Sequence, residues 1–496
     1  MTALPTRTDV VVVGAGLAGL TAAATLSRAG LDVIVVEASD DVGGRVRTDR
    51  VEGLLLDRGF QLLNPAYPAV RRLLDLAALR LRPFEAGVVV ANDGRRSVLA
   101  DPRRSPRHLA ASALAPGSPR EKLALVRWAL AVGYGDARRL ISAPDEPLAT
   151  TLQRRGIDGP IGRGVVGPFL AGVLAEDGGE SSRRFVELVI RSFVRGTPAL
   201  PTEGMQAIPR QLRARLPADT VHLRVRAFRV TGHLVTTDAG AVAARAVVLA
   251  ADPRSAVELA GLPAVPTRSL TTYYHLAASP PTRSRMLHLD ADHRGPVINS
   301  AVVSNVVPSY AGDRGALVAT TVLGNRDDPQ TECAVRAQLR LLYGGDPQAW
   351  DHVATYAIPE ALPAMLPALD VAQPVDLGDG LFVAGDHRDT ASLQGALVSG
   401  RRAARAVLQA IGVVRRDDPK ARLPEAERAA EPGGSDGARS RSSDAGTSVH
   451  AASSPHTATT RDADPTSDGP RLDGPKADGP TLDGPTPDEQ DLPDAR

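Results

Sequence analysis

The chain has 496 residues, 43% of them hydrophobic and 23% charged, with a formal net charge of +1. That length accommodates about two or three domains, and the balanced charge lacks the clustered Lys and Arg that bind phosphate backbones, which excludes nucleic acid as an expected partner. The single Cys333 excludes an internal disulfide framework and a thiolate-rich metal site, fits a reducing cytoplasm, and reads as a small buried hydrophobe in the helical run TECAVRAQLR.

Residues 10–26 are apolar and follow Arg7, but Gly14, Gly16 and Gly19 interrupt them at turn positions and no small-residue cleavage pattern follows. No other stretch reaches the length of about 20 apolar residues that a membrane helix needs. The expectation is a cytoplasmic protein whose contact with a membrane is at most peripheral.

In chain order, residues 9–13 form a β-branched run, the glycines follow at once, and residues 18–29 read as a helix closed by Gly30. A second strand over 32–36 ends on Glu37, completing a strand–turn–helix–strand unit suited to a parallel sheet. Helical runs follow at 120–130 and 181–194, strands at 221–225 and 247–250, a β-rich region at 270–322, a strand at 381–384 and a helix at 393–410. The fold class expected is α/β, a Rossmann-type domain with an inserted α+β domain. The nucleotide domain is assigned to residues 1–85, 200–265 and 370–416, and the substrate domain to 86–199 and 266–369. The composition changes near Asp417: every aromatic residue lies at or before Phe382, and DGP repeats at Asp468, Asp473, Asp478 and Asp483. Residues 417–496 therefore read as a disordered Pro/Gly/Asp-rich tail. From Asp418 onward the charge is −7, against +8 for the rest.

VVVVGAGLAGL places Gly14, Ala15, Gly16 and Gly19 in a GxGxxG turn between strand and helix. Gly14 serves the tight turn, Gly16 the close approach of a pyrophosphate, and Gly19 the packing of helix on sheet. The phosphates would sit where the free N–H groups and the helix dipole favour negative charge. Glu37, 23 residues after Gly14, can accept both ribose hydroxyls of an adenosine and would repel a 2′-phosphate. EASDDVGGRVRT, carrying Gly43, Gly44 and Arg45, resembles the signature of the flavin amine oxidase and phytoene desaturase superfamily. LFVAGDHRDTASLQGALVSGRRAA resembles the same superfamily's C-terminal flavin motif. PTEGMQAIPRQLRARL followed by VHLRVRAF, DRGFQLLNPAYPAVRRLLD and GPFLAGVLAEDGGESSRRF are similar to segments of its carotenoid desaturase and protoporphyrinogen oxidase branch. The resemblance covers roughly residues 8–412, departing at Glu203, where a second glycine is usual.

The resemblance implies FAD held by Gly44 and Arg45 at the diphosphate and ribityl chain, and by the Val225 backbone beside adenine. It further implies Gly385 and Asp386 at the ribityl hydroxyls, and Gln394, Gly395 and Ala396 at a helix N-terminus facing the flavin or its pyrophosphate. With no Cys near Gly385, the FAD is expected to be noncovalent. Amine oxidases of the superfamily resemble one another in a lysine near the flavin and paired aromatics, yet this chain has no lysine between Lys122 and Lys420. The implied function is oxidoreduction of a lipophilic, polyene-like CH–CH substrate, with oxygen, a quinone or another carrier as electron acceptor. The alternatives are an amine or amino-acid oxidase, or a flavin-containing protein that binds or isomerises a lipid without net turnover. His387, Arg388 and Asp389 are the catalytic candidates, with Tyr273, Tyr274, Trp350 and Tyr356 as weaker ones, and no histidine set has metal-ligand spacing.

Overall fold

A computed structural model describes residues 4–413. Residues 417–496, read above as a tail, lie outside the described residues.

Two sheets organise the chain. The first has the strand order Ala227–Val230, Leu234–Thr237, Gly240–Leu249, Arg7–Val13, Val33–Glu37 and Val221–Leu223, with Leu381–Val383 added beside the end of Gly240–Leu249. Its centre is parallel, Val10 to Val13 lying between Val33 to Val36 on one side and Ala246 to Leu249 on the other. Val10, Val11, Val12, Val35, Val247 and Val248 are completely buried, as expected for parallel strands covered on both faces. Helices Leu17–Arg28 and Leu393–Ala410 pack together against this sheet.

The second sheet has the order Asp351–Pro363, Thr267–Ala277, Ala316–Leu323, Val297–Val302, Leu287–Asp290, Gly87–Asn92 and Arg95–Ala100. Only Leu287–Asp290 and Gly87–Asn92 run parallel; the other pairs are antiparallel. Helices Pro119–Tyr134, Gly167–Leu174 and Arg183–Arg195 gather beside it around Trp128, Leu170, Phe185 and Val186. The fold is thus mixed α/β, with the first sheet drawn from three separated stretches of chain and the second from two.

Some elements differ from expectation for local reasons. The strand at 221–225 stops at Leu223 because Arg224 takes φ +57, which breaks the ladder before Val225. The strand ending near Ala250 begins as early as Gly240, its first half disguised by three alanines and a hairpin partner. Cys333, expected to be buried, is exposed. Its helix, Pro329–Tyr343, buries Thr331, Val335, Gln338, Leu339 and Leu342, and Cys333 lies off that stripe.

Candidate functional site

The parallel strands of the first sheet end together at Val13, Glu37, Leu249 and Val383, the edge where open α/β sheets bind ligands. A cavity of about 650 Å³ opens there and runs toward the second sheet. Gly14, Gly16, Glu37, Gly44, Arg45, Val225, Gly385, Asp386 and Ala396 line it. These residues come from three distant parts of the chain and meet because their strands are neighbours.

The turn after Val13 depends on glycine. Gly14 has φ +105, and a Cβ on it would lie 2.6 Å from the Ala250 carbonyl oxygen. Gly16 is the opposite case: a Cβ there would meet nothing within 4 Å, so the backbone lies bare at the N-terminus of Leu17–Arg28. Open space, bare main chain and unpaired helix N–H groups together suit a diphosphate. Glu37 is buried; its Oε2 accepts from the Ala15 N–H at 2.6 Å and its Oε1 from the Ser39 N–H at 2.8 Å. Each oxygen keeps a lone pair for a ribose hydroxyl. The Val225 N–H donates to the Glu37 carbonyl at 2.9 Å, fixing the backbone at the adenosine end.

Arg45 crosses the cavity. Its Nη2 lies 2.5 Å from Asp386 Oδ1 and its Nη1 donates to the Ala361 carbonyl at 2.7 Å. Burial disfavours the guanidinium charge, but the Asp386 carboxylate outweighs burial and holds its pKa above the ordinary value. Ser392 caps Leu393–Ala410, its Oγ accepting from the Gly395 N–H at 3.1 Å, and this second helix N-terminus also faces the cavity through Ser392, Leu393 and Ala396.

Ala15, Gly19, Gln394 and Gly395 do not line the cavity and serve its frame. Ala15 positions the Glu37 carboxylate, and the Gln394 Oε1 accepts from the Ala69 N–H at 2.9 Å. A Cβ on Gly19 would strike the Gly14 carbonyl, and one on Gly395 the Thr390 carbonyl.

His387, Arg388 and Asp389 are also absent from the cavity wall. They form a short helical turn after Gly385. The His387 ring is buried against Gly385, its Nδ1 has no partner, and burial pushes its pKa down to about 4. Burial also lowers the pKa of Arg388, whose carbonyl accepts from Arg402 Nη1 at 2.9 Å, and the Asp389 carboxylate lies 3.6 Å from the same guanidinium. The turn hands the chain from strand to helix, and the His387 ring packs directly behind Gly385, which does line the cavity. Tyr273, Tyr274 and Tyr356 turn their hydroxyls to Arg326, Asp57 and Asp49 respectively, and none of the three lines the cavity.

The end of the cavity nearest the second sheet is walled by Phe60, Phe169, Phe193, Leu270, Ile358 and Leu362. Phe169 and Phe193 meet edge to face at 5.0 Å. The polar groups here are uncharged. Asn299 is 3% exposed and its Oδ1 has no hydrogen-bond partner; a Cβ on the facing Gly172 would collide with the Asn299 amide nitrogen. Asn64 Oδ1 accepts from the Ala66 N–H at 2.9 Å, leaving its buried Nδ2 unpartnered. Burial pushes the Tyr67 phenol up to about 12, so it stays protonated. Besides Glu37 and the exposed Arg226 next to Val225, the charged residues in the wall are engaged: Arg58 is held bidentately by Asp49 at 2.9 Å, Asp252 caps the helix Pro253–Ala260, and Asp386 is paired with Arg45. Among the described residues no lysine lines the cavity. Phe60, Asn64, Tyr67 and Phe169 lie within two of the segments that carried the family resemblance, whereas Phe193 and Asn299 had no sequence signal at all.

The family model for flavin containing amine oxidoreductases matches residues 17–408. The chain is 47% identical over 92 residues to putrescine oxidase of Kocuria rosea, covering 18% of this chain and 19% of that protein. It is 46% identical over 71 residues to protoporphyrinogen oxidase 2 of Arabidopsis thaliana, 14% of each. The chain thus spans less than a fifth of the length of these curated relatives. Among solved structures, wild-type putrescine oxidase bound to putrescine superposes with a TM-score of 0.59 at 20% identity, over 81% of this chain and 99% of that one. The glycine turn, the buried Glu37 and the two helix N-termini fit the dinucleotide that this family carries: the chain belongs to the flavin-containing amine oxidoreductases and binds FAD.

Proposed function

We propose that the protein is an FAD-dependent oxidoreductase acting on a neutral, largely apolar substrate at a CH–CH position. In this reading Glu37 holds the adenosine ribose, and the Gly16 and Gly44 backbones take the diphosphate with the N–H groups of Leu17–Arg28. Asp386, fixed by Arg45, offers its remaining lone pairs to the ribityl chain. Bound FAD supplies a two-electron acceptor for hydride. The aromatic wall of Phe60, Phe169 and Phe193 excludes water and places the substrate, and the Asn299 amide orients it through one hydrogen bond.

The observation that carries this reading is that, among the described residues, no available charge stands at the substrate end: its polar side chains are Gln61, Asn64, Tyr67 and Asn299, and its bulk is aromatic and aliphatic. An ammonium substrate calls for an unengaged carboxylate to pair with its charge. The wall carboxylates are engaged elsewhere, as described above. Similarity to putrescine oxidase favours a second reading, oxidation of an amine. Anaerobic mixing of the FAD-loaded protein with polyenes, porphyrinogens, primary amines and amino acids, followed by bleaching of the flavin band, separates the two. The expected result is reduction by an apolar polyene or alicyclic compound and none by amines. Rapid reduction by a primary amine with the apolar compounds inert would replace the first reading by the second.

A further inference from the structure

The helix Pro119–Tyr134 is amphipathic in an unusual sense. Ser118 and Glu121 form a reciprocal capping box that fixes its start. One face buries Trp128 and Val132 against Arg183–Arg195, where Gly133 lets the Val194 side chain approach closely. The opposite face is not polar. Leu123, Val126, Leu130 and Tyr134, spaced three or four residues apart, are all exposed, Leu123 by 58%. The segment that precedes the helix adds Leu109, 63% exposed, and Leu114, 82% exposed. Six large apolar side chains on one connected stretch make a surface that a soluble monomer rarely presents.

The charge around this face is predominantly positive. Residues 101–139 contain eight Arg and Lys and three acidic residues, in a chain whose net charge is +1. Arg120 and Arg127 are exposed beside the leucines, and Arg107, also exposed, is paired with Glu85 at 2.6 Å. The Arg103 guanidinium lies 5.9 Å from the Tyr134 ring centre and donates to its hydroxyl at 2.7 Å, placing a cation and an aromatic at the edge of the patch. Aliphatic side chains flanked by guanidinium groups and an amphipathic tyrosine match the layered chemistry of a bilayer surface, acyl chains below and phosphates above.

We propose that this face docks on an anionic lipid bilayer, Leu109, Leu114, Leu123 and Leu130 entering the acyl boundary while Arg120 and Arg127 meet lipid phosphates. The occupant is set by charge complementarity: a neutral apolar partner would leave the arginines unmatched, and an acidic protein without an apolar face would leave the leucines in water. The placement also connects to the cavity. The helix rests on Arg183–Arg195, whose Phe193 lines the substrate end, so only one helical layer separates the docking face from the cavity wall. The inference stands on exposure and charge and does not depend on which substrate is oxidised.

The test is flotation of the full-length, FAD-loaded protein with vesicles of phosphatidylcholine alone and of an equal mixture of phosphatidylcholine and phosphatidylglycerol. The expected result is binding to the mixed vesicles at least ten-fold stronger than to the neutral ones and weakened by salt, since each arginine near an anionic surface contributes roughly five-fold. Leu114→Asp with Leu123→Asp, and separately Arg120→Glu with Arg127→Glu, should each reduce that binding at least ten-fold with flavin content and melting temperature unchanged. Equal binding to both vesicle types, no binding to either, or unchanged binding by both double variants overturns the proposal. So does a dimer that Leu123→Asp dissociates in a protein that ignores vesicles, because the face would then join two copies of the chain.

Discussion

The adenosine end of the cavity and the substrate end are built from different materials. At the adenosine end the contacts are main chain and charge: a glycine turn, two helix N-termini, and the carboxylates of Glu37 and Asp386. At the substrate end they are side-chain surfaces from the Gly167–Leu174 and Arg183–Arg195 helices and the Thr267–Ala277, Val297–Val302 and Asp351–Pro363 strands. The first kind of wall tolerates few residue types at each position, because backbone conformation and charge sign are discrete. The second kind needs only apolar volume, which many residue types supply. Changes at the adenosine end should therefore act on cofactor retention and folding together, and changes at the substrate end on substrate preference.

The sharpest way to break this division is Arg45→Ala. It would leave the Asp386 carboxylate, whose side chain is 6% exposed, without its cation. The Arg45 side chain is itself 35% exposed, so breaking this half-buried pair costs about 1–3 kcal/mol, and the variant should lose both flavin and a few degrees of melting temperature. Combining it with Asp386→Asn should recover part of the stability without restoring the flavin. An Arg45→Ala protein that keeps full stability and full flavin would show that the pair holds nothing.

Acid should distinguish the sheets. Burial lowers the pKa of His275 and His288, both in the second sheet, and of His387 near the first, each to about 4 from an unfolded value of 6.5. The unfolded chain then binds more protons between pH 6.5 and 4, so the stability these groups permit is complete above pH 6.5 and falls on acidification. Asp57, shared by Tyr310 and Met205 at the joint between the sheets, is raised by burial to about 6 and has the opposite sign. It takes up its proton in the folded state first and opposes acid unfolding between pH 6 and 3.8. His288→Gln should accordingly lose less stability than the parent between pH 7 and pH 4, by about 3 kcal/mol, as read from urea unfolding at the two values. Equal losses would mean that the ring titrates normally.

Glu37→Gln should weaken FAD retention and cost some stability, because its amide nitrogen cannot accept from one of the Ala15 and Ser39 N–H groups. The charge-assisted part of its ribose contacts is worth about 1.5–3 kcal/mol, or ten-fold or more in affinity, measurable as flavin lost on dialysis. Full occupancy after dialysis would remove Glu37 from the site.

Legibility followed the same division. Gly14, Gly16, Glu37 and Arg45 could be read because a strand, a turn that only glycine allows and a carboxylate at a fixed interval leave a pattern in the chain. The paired sheet strands could be read where valines run together, and were blurred at Gly240–Leu249, where alanines weaken the signal. Asn299 could not be read. It is one polar residue in a β-rich region, and what distinguishes it is a missing partner and the facing Gly172, 127 positions earlier in the chain. His387, Arg388 and Asp389 were placed at the cavity by their position next to the flavin motif; they form a three-residue turn behind its wall, a distinction that sequence proximity does not report.

Asn299→Leu tests the substrate end directly. It replaces a buried amide without a partner by an aliphatic group of similar volume, so the protein should gain about 1 kcal/mol of stability. It should also lose any preference for an oxygenated polyene over the matching hydrocarbon. A loss of stability would mean that the amide has a partner in the folded protein.

The smallest effect is expected from Lys122→Met, and it bears on the amine reading. If a lysine served the flavin here, it would have to come from outside the segment between Lys122 and Lys420, which contains none. Lys122 sits on the Pro119–Tyr134 helix with its Nζ 2.8 Å from the Ala113 carbonyl, on an element that contributes nothing to the cavity wall. Its replacement removes a partly exposed hydrogen bond and should shift stability by no more than about 0.5 kcal/mol. The rate at which oxygen reoxidises the reduced flavin should not change, because no ammonium is withdrawn from the cavity. A ten-fold slower reoxidation would require Lys122 to reach the flavin, which the Pro119–Tyr134 helix could do only by leaving its packing against Arg183–Arg195, and the division between the two ends of the cavity would fail with it.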